Sequence, residues 1–158
     1  LPNYFVDTSA WAKLYHRERG SEFMARIVSV PGSGLVISHL SIVEMESVLA
    51  IKLRTGEIGG PQAEIARRSL RADLSQRRLR LGPPFQPRHF QSARHLLVRY
   101  GASEGLRTLD ALQLAMALDL KSTGEISVLV AADQRLCRVA ALAGCPSENP
   151  DQPPAVAI

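Results

Sequence analysis

Cysteine occurs only twice, at Cys137 and Cys145, too few and too unevenly spaced for a zinc site or a disulfide framework, which fits a reducing compartment. No apolar run approaches the roughly 18–20 residues of a membrane span, and the opening Leu1-Pro2-Asn3-Tyr4 lacks the basic segment and apolar stretch of a secretory leader. The expectation is a cytoplasmic protein. Familiar catalytic signatures are missing too. There is no G-x-x-x-x-G-K-[ST] loop, which excludes nucleotide hydrolysis of the P-loop kind, and Ser9 stands outside any G-x-S-x-G elbow. His16, His39, His89 and His95 are scattered, with no pair at zinc-ligand spacing.

Lysine is also scarce, so the net charge of +4 is carried almost entirely by arginine. Between Arg67 and Arg99 lie Arg68, Arg71, Arg77, Arg78, Arg80, Arg88 and Arg94, with Asp73 the only acid in the stretch. A guanidinium matches a phosphate bidentately, so the stretch reads either as a face for a polyanion or as solvated helix surface.

The length of 158 residues suits one domain with a full hydrophobic core. Apolar positions recur at helical spacing over 10–19, 22–30, 42–54, 62–76, 88–100, 109–121 and 134–143. Between them stand short aliphatic runs, Tyr4-Phe5-Val6, Leu35 to Ser38 and Val128 to Ala132, with a third strand expected over Arg78 to Leu81 at an edge. Strands apolar on both faces belong in a parallel sheet covered by helices. The predicted fold is therefore α/β, a three-layer α/β/α sandwich around a central, mostly parallel sheet of four to five strands. A single domain is expected over 1–146. Residues 147–158 are expected to form a Pro-rich, mobile tail with at best a weak final strand.

Four carboxylates, Asp7, Glu44, Asp110 and Asp133, each stand where a strand-like run or its following turn gives way to a helix. In an open parallel sheet those positions crowd the carboxyl ends of the strands, where ligands bind. Each has a structural reading of its own. Asp7 suits a turn before Thr8-Ser9, Asp133 a helix cap, Asp110 a first helical turn, and Ser41-Ile42-Val43-Glu44 reads as a capping box. Caps, however, accept Ser, Thr, Asn or Gly equally well, whereas Mg²⁺ and Mn²⁺ require hard oxygen ligands. Several carboxylates at one sheet edge repel one another unless cations share the site, and such cations support in-line phosphodiester hydrolysis without a nucleophilic side chain. Arg107, three residues before Asp110, reads as a phosphate contact or a solvated flank. Trp11, Leu14 and Tyr15 read as core or as a partner groove, and Phe23, Met24 and Ile27 as an apolar stripe.

Val6-Asp7-Thr8-Ser9-Ala10, Ser38 to Glu44, Arg107 to Ala115 and Ala132-Asp133-Gln134-Arg135-Leu136 resemble, in order and spacing, the acidic motifs of PIN-domain ribonucleases, and most closely those of VapC-type toxins of toxin–antitoxin pairs. The resemblance runs from Asn3 to about Gly144. It implies a PIN-like sandwich, Mg²⁺-dependent cleavage of RNA with Mn²⁺ able to substitute, a homodimer, and a small antitoxin that occludes the active site. It assigns Asp7, Glu44 and Asp110 to the core metal ligands, Asp133 to the fourth and more variable acid, and Ser9 to a small polar position that orients Asp7 or a bound water. Ala131 departs from the family pattern, in which Thr is frequent two residues before the fourth acid. The competing expectations are a non-catalytic RNA-binding or regulatory module of the same shape and a phosphoacceptor domain. The latter is disfavoured because Thr8 and Ser9, not further acids, follow Asp7, and no Lys lies near Asp133.

Overall fold

The computed structural model describes residues 2–152. Five strands, β1 (Asn3–Val6), β2 (Gly34–Ile37), β3 (Arg80–Leu81), β4 (Val128–Val130) and β5 (Ser147–Glu148), form one sheet in the order β3-β2-β1-β4-β5, with every pairing parallel. Seven helices connect them: α1 (Thr8–Trp11), α2 (Ser21–Ser29), α3 (His39–Arg54), α4 (Gly60–Ser75), α5 (Pro87–Glu104), α6 (Thr108–Ser122) and α7 (Gln134–Leu142). None of the described helices is long and apolar enough to cross a membrane.

The two-residue period of the strands divides the core. Phe5, Val36 and Leu129 point to one side, where Leu96 and Tyr100 of α5, Leu114, Met116 and Leu120 of α6, and Leu136 and Val139 of α7 cover them. Tyr4, Val6, Leu35, Ile37 and Val130 point to the other, against Trp11, Met24, Met45, Leu49 and Leu70. Each large aliphatic side chain buried this way contributes about 1.5–3 kcal/mol. α6 is the most enclosed helix, and Ala111, Ala115 and Ala117 let it lie close to its neighbours. The expected α/β/α sandwich is therefore present, with five strands.

Several boundaries differ from the expectation. The helix expected over 10–19 ends early, as α1 followed by a 3₁₀ turn over Ala12–Leu14. The buried Lys13 turns inward, its Nζ donating to the carbonyl of Arg19 at 2.8 Å, so the chain curls around the ammonium and leaves through Gly20 at φ 88°. α3 begins at His39 rather than Ile42 because Ser38 is its cap. The Phe23, Met24 and Ile27 stripe is buried in the core. The third strand lies at the sheet edge, as expected, but spans only Arg80–Leu81.

The C-terminal stretch also differs. Ser147 and Glu148 pair with Leu129 and Val130 as β5, the weak final strand allowed for in this stretch, so the sheet continues past residue 146. Pro150 is buried and Asp151 contacts Lys13 at 3.0 Å, so this part of the expected mobile tail is packed against the domain; residues 153–158 lie outside the described residues.

Candidate active site

The chain runs from β1 to β2 and β3 on one flank, while β4 and β5 lie on the other, so the strand order reverses between β1 and β4. A crevice at such a reversal, beyond the carboxyl ends of the strands, is where open α/β sheets bind ligands. Asp7 follows β1, and its backbone N–H donates to Val130 O on β4 at 2.9 Å. The carboxylate caps α1, with Oδ2 accepting from the Ser9 N–H at 3.1 Å and the Ser9 hydroxyl at 2.5 Å. Ser9 Oγ in turn accepts from the Ala132 N–H at 3.0 Å, tying the loop after β1 to the loop after β4. Ser9 thus links the Asp7 carboxylate to the loop after β4.

Asp133 opens α7, and its Oδ1 accepts from the N–H groups of Arg135 and Leu136 at 2.8 and 3.2 Å. Asp110 lies in the first turn of α6, which Gly105, at φ 70°, allows to start directly after α5. Arg107 joins these two acids, its Nε donating to Asp110 Oδ2 at 3.1 Å and its Nη2 to Asp133 Oδ2 at 3.2 Å. Its side chain is largely exposed, as a solvated flank would be, and it also bridges the two acids by ion pairs.

Glu44 comes from the second turn of α3. The capping box, the alternative reading of Glu44, does not form. Ser38 Oγ accepts from the Ser41 N–H at 3.2 Å, which leaves the Glu44 carboxylate uncommitted to the helix end. Its Oε1 instead accepts from Gln113 Nε2 at 2.6 Å and from Thr8 Oγ1 at 3.3 Å. Gln113 is fully buried and also donates to Ser41 Oγ at 3.0 Å while accepting from Ser38 Oγ at 2.7 Å. Sequence reasoning missed this residue. Its one signal was an amide amid the apolar Leu112-Gln113-Leu114-Ala115-Met116 of α6.

Burial raises the pKa of Asp7, and the Asp110 and Asp133 charges add to the rise while the Ser9 hydrogen bonds oppose it. Glu44 is raised chiefly by burial, against Gln113 and with the charge of Asp7. Asp110 is raised by burial as well, with Arg107 opposing and Asp133 reinforcing. Among the described residues, Asp7 Oδ1, Glu44 Oε2 and Asp110 Oδ1 accept no hydrogen bond. The donor set is all hard oxygen, electrostatically frustrated, and supplies one uncommitted atom from each of three acids, which fits Mg²⁺ or Mn²⁺. No three of the four carboxylates bring oxygens within 4.8 Å of one another among the described residues. That openness suits an ion that retains several waters.

A tighter trio of His16, Glu18 and Glu57 occurs elsewhere. Lys52 Nζ lies 3.1 Å from His16 Nδ1 and Glu57 Oε1 and 3.5 Å from Glu18 Oε2, so a cation already serves those ligands.

The family model described as "PIN domain" matches residues 4–142. The chain belongs to the PIN-domain family. No curated protein sequence matches it. Among solved structures, this PIN domain is similar to Mycobacterium tuberculosis VapC20, described as a Sarcin-Ricin loop cleaving toxin, with 20% identity, 96% of this chain and 99% of that one covered, and a TM-score of 0.63. It is similar to VapBC2 from Rickettsia felis, solved bound to a DNA fragment from its promoter, at 16% identity, 93% and 98% coverage and a TM-score of 0.62. It is also similar to PAE2754 from Pyrobaculum aerophilum, at 23% identity, 92% and 89% coverage and a TM-score of 0.57. At these identities the likeness is one of fold.

Proposed function

We propose that this PIN domain is a Mg²⁺-dependent endoribonuclease, with Mn²⁺ able to substitute, and the toxin of a toxin–antitoxin pair. Asp7, Glu44, Asp110 and Asp133 act as its metal ligands. The observation that carries the reading is the neighbourhood of four acids near the carboxyl ends of the sheet. Asp110 and Asp133 act on Asp7, and Asp7 and Asp110 act on Glu44, three of the four having raised pKa values and one uncommitted oxygen each. A divalent cation held there supplies Lewis-acid polarisation of a phosphodiester and activates water, so no nucleophilic side chain is required. The chain's own residues do the positioning. Ser9 and the α1 backbone aim Asp7, Gln113 and Thr8 aim Glu44, and the α7 N-terminus aims Asp133.

The toxin role draws support from the fold shared with VapC20, a toxin that cleaves the Sarcin-Ricin loop, and with VapBC2. A cognate small antitoxin, a homodimeric state and cytoplasmic residence belong to the same reading. Purified Asp7→Asn and Glu44→Gln proteins should remain folded by circular dichroism. Their Mg²⁺-dependent RNA cleavage should fall by more than the roughly 10–100-fold that losing a supporting hydrogen bond costs. Cleavage by Asp7→Asn at the wild-type rate overturns the metal-ligand assignment, and RNA binding that survives EDTA with no fragments points instead to a non-catalytic module.

A further inference from the structure

Arg107 occupies an unusual position. Its guanidinium neutralises Asp110 and Asp133, two of the proposed ligands, yet its side chain is 66% exposed while theirs are 14% and 26% exposed. It therefore reaches from solvent onto the two acids. On its other side lies an open notch of about 370 Å³, lined by Arg107, Asp133, Gln134, Arg135 and Arg138. Three of those five side chains are arginines. Arg138 is tied to Glu104 through Nε at 2.7 Å. Arg135 binds only the Gly105 carbonyl through Nη1, at 3.3 Å, and makes no ion pair among the described residues. The notch thus sets beside the acid cluster a guanidinium that makes no ion pair, although its charge acts on Asp110 from a distance.

A guanidinium and a divalent cation cannot both sit on Asp110 and Asp133, because the like charges repel. Exposed ion pairs such as those of Arg107 are weak enough for an incoming cation to displace them. We propose that Arg107 is the chain's built-in counter-ion for Asp110 and Asp133 and, once a divalent cation takes those acids, swings into the notch to form with Arg135 a subsite for an RNA backbone phosphate. The inference rests on the metal-dependent ribonuclease reading above. It gives one residue two alternating anionic partners, carboxylate before loading and phosphate after it. The planar fork of arginine suits both, where a lysine would offer only a point charge.

Two measurements without turnover test it. Calorimetric titration of Mn²⁺ into Arg107→Ala should show binding about three- to tenfold tighter than wild type, since the competing cation is gone. Arg135→Ala, which removes a more distant charge that makes no ion pair with these acids, should tighten Mn²⁺ binding less than Arg107→Ala does. A fluorescein-labelled phosphorothioate oligoribonucleotide, titrated by anisotropy at several salt concentrations with Mn²⁺ present, should show the slope of log K against log salt reduced by about 0.7 in each variant, the loss of one phosphate contact. Arg107→Lys should retain the slope in part. Thermal melting controls for folding, and Arg107→Gln provides a second neutral variant. Unchanged Mn²⁺ affinity or an unchanged salt slope in both neutral variants overturns this inference alone. Absence of Mn²⁺ binding by the wild type overturns the underlying metal reading, and this inference with it.

Discussion

Asp7 combines a helix cap with a buried charge, and only the first of these stabilises the metal-free fold. Its Oδ2 is well served by Ser9, but burial and the neighbouring acids still raise its pKa above the ordinary aspartate value. Between the unfolded value and that raised native value, the folded chain holds more protons than the unfolded one. Stability therefore falls as pH rises through the window. Glu44 and Asp110 act in the same direction, whereas Glu46 and Asp119, lowered by Arg67 and Arg88, lose their contribution as pH falls through their own depressed values. Asp7→Asn should consequently melt a few degrees above wild type, about 2–5 °C, at neutral pH without divalent cations. The gap should close on acidification, when Asp7 itself becomes neutral. Melting at or below the wild-type temperature at neutral pH removes the frustration argument. At this scale the acids were legible because carboxylates at strand ends are uncommon without a reason. Gln113 was not, since an amide within a helix reveals nothing of its partners until α3 and α6 are brought together through Ser38, Ser41 and Glu44.

Among the elements, the start of α3 determines where Glu44 points. Ser38 and Ser41 are both plausible caps, and the spacing from Ser41 to Glu44 favours the wrong one. The competition is decided by β2, which ends at Ile37 and places Ser38 at the turn, so Ser41 enters the helix and becomes buried. A one-turn shift of this kind is invisible in a periodic pattern, because periodicity identifies a helix face better than its first residue. Strands 1, 2 and 4 were legible for a stronger reason, being apolar on both faces. The two-residue edges β3 and β5 carry little pattern to read, and pairing with β2 and β4 makes them strands. Ser38→Ala removes a cap and leaves Gln113 Oε1 without its 2.7 Å donor, so urea unfolding should show a loss of about 1–3 kcal/mol with an unchanged m-value. His39→Ala, on the exposed side of the same turn, should stay within about 0.5 kcal/mol of wild type. Equal effects from the two substitutions remove Ser38 as the cap.

Across the whole molecule, contacts between distant segments alter the reading of the charges. The arginine-rich stretch between Arg67 and Arg99 holds only one acid of its own, yet Arg67 pairs with Glu46, Arg80 with Glu125 and Arg88 with Asp119, all from outside it. Much of its apparent affinity for a polyanion is therefore satisfied internally, which one-dimensional charge patterning cannot reveal. Lys13 shows the same principle at the chain ends. Its ammonium is buried in the turn after α1 and gathers Arg19 O at 2.8 Å, Asp151 at 3.0 Å and Glu18 at 3.4 Å. The stretch after β5 is thereby fastened to the first helical segment, on the opposite flank of β1 from β2. Replacing the lysine leaves the partly buried Asp151 without its cation, while Glu18 keeps Lys52 at 3.5 Å, a loss that exceeds that of an ordinary surface pair. Lys13→Met, which keeps the apolar stem, should cost about 1–3 kcal/mol in urea unfolding. It should also speed hydrogen exchange at the amides of Leu129 and Ala131, which donate to Pro146 and Glu148. Exchange at Phe5 and Val36, deeper in the sheet, should change less, because loosening begins at the β5 edge. Uniform acceleration at all four amides would mean that the lysine supports only global stability, and unchanged exchange at Leu129 and Ala131 would mean that it does not fasten the C-terminal strand.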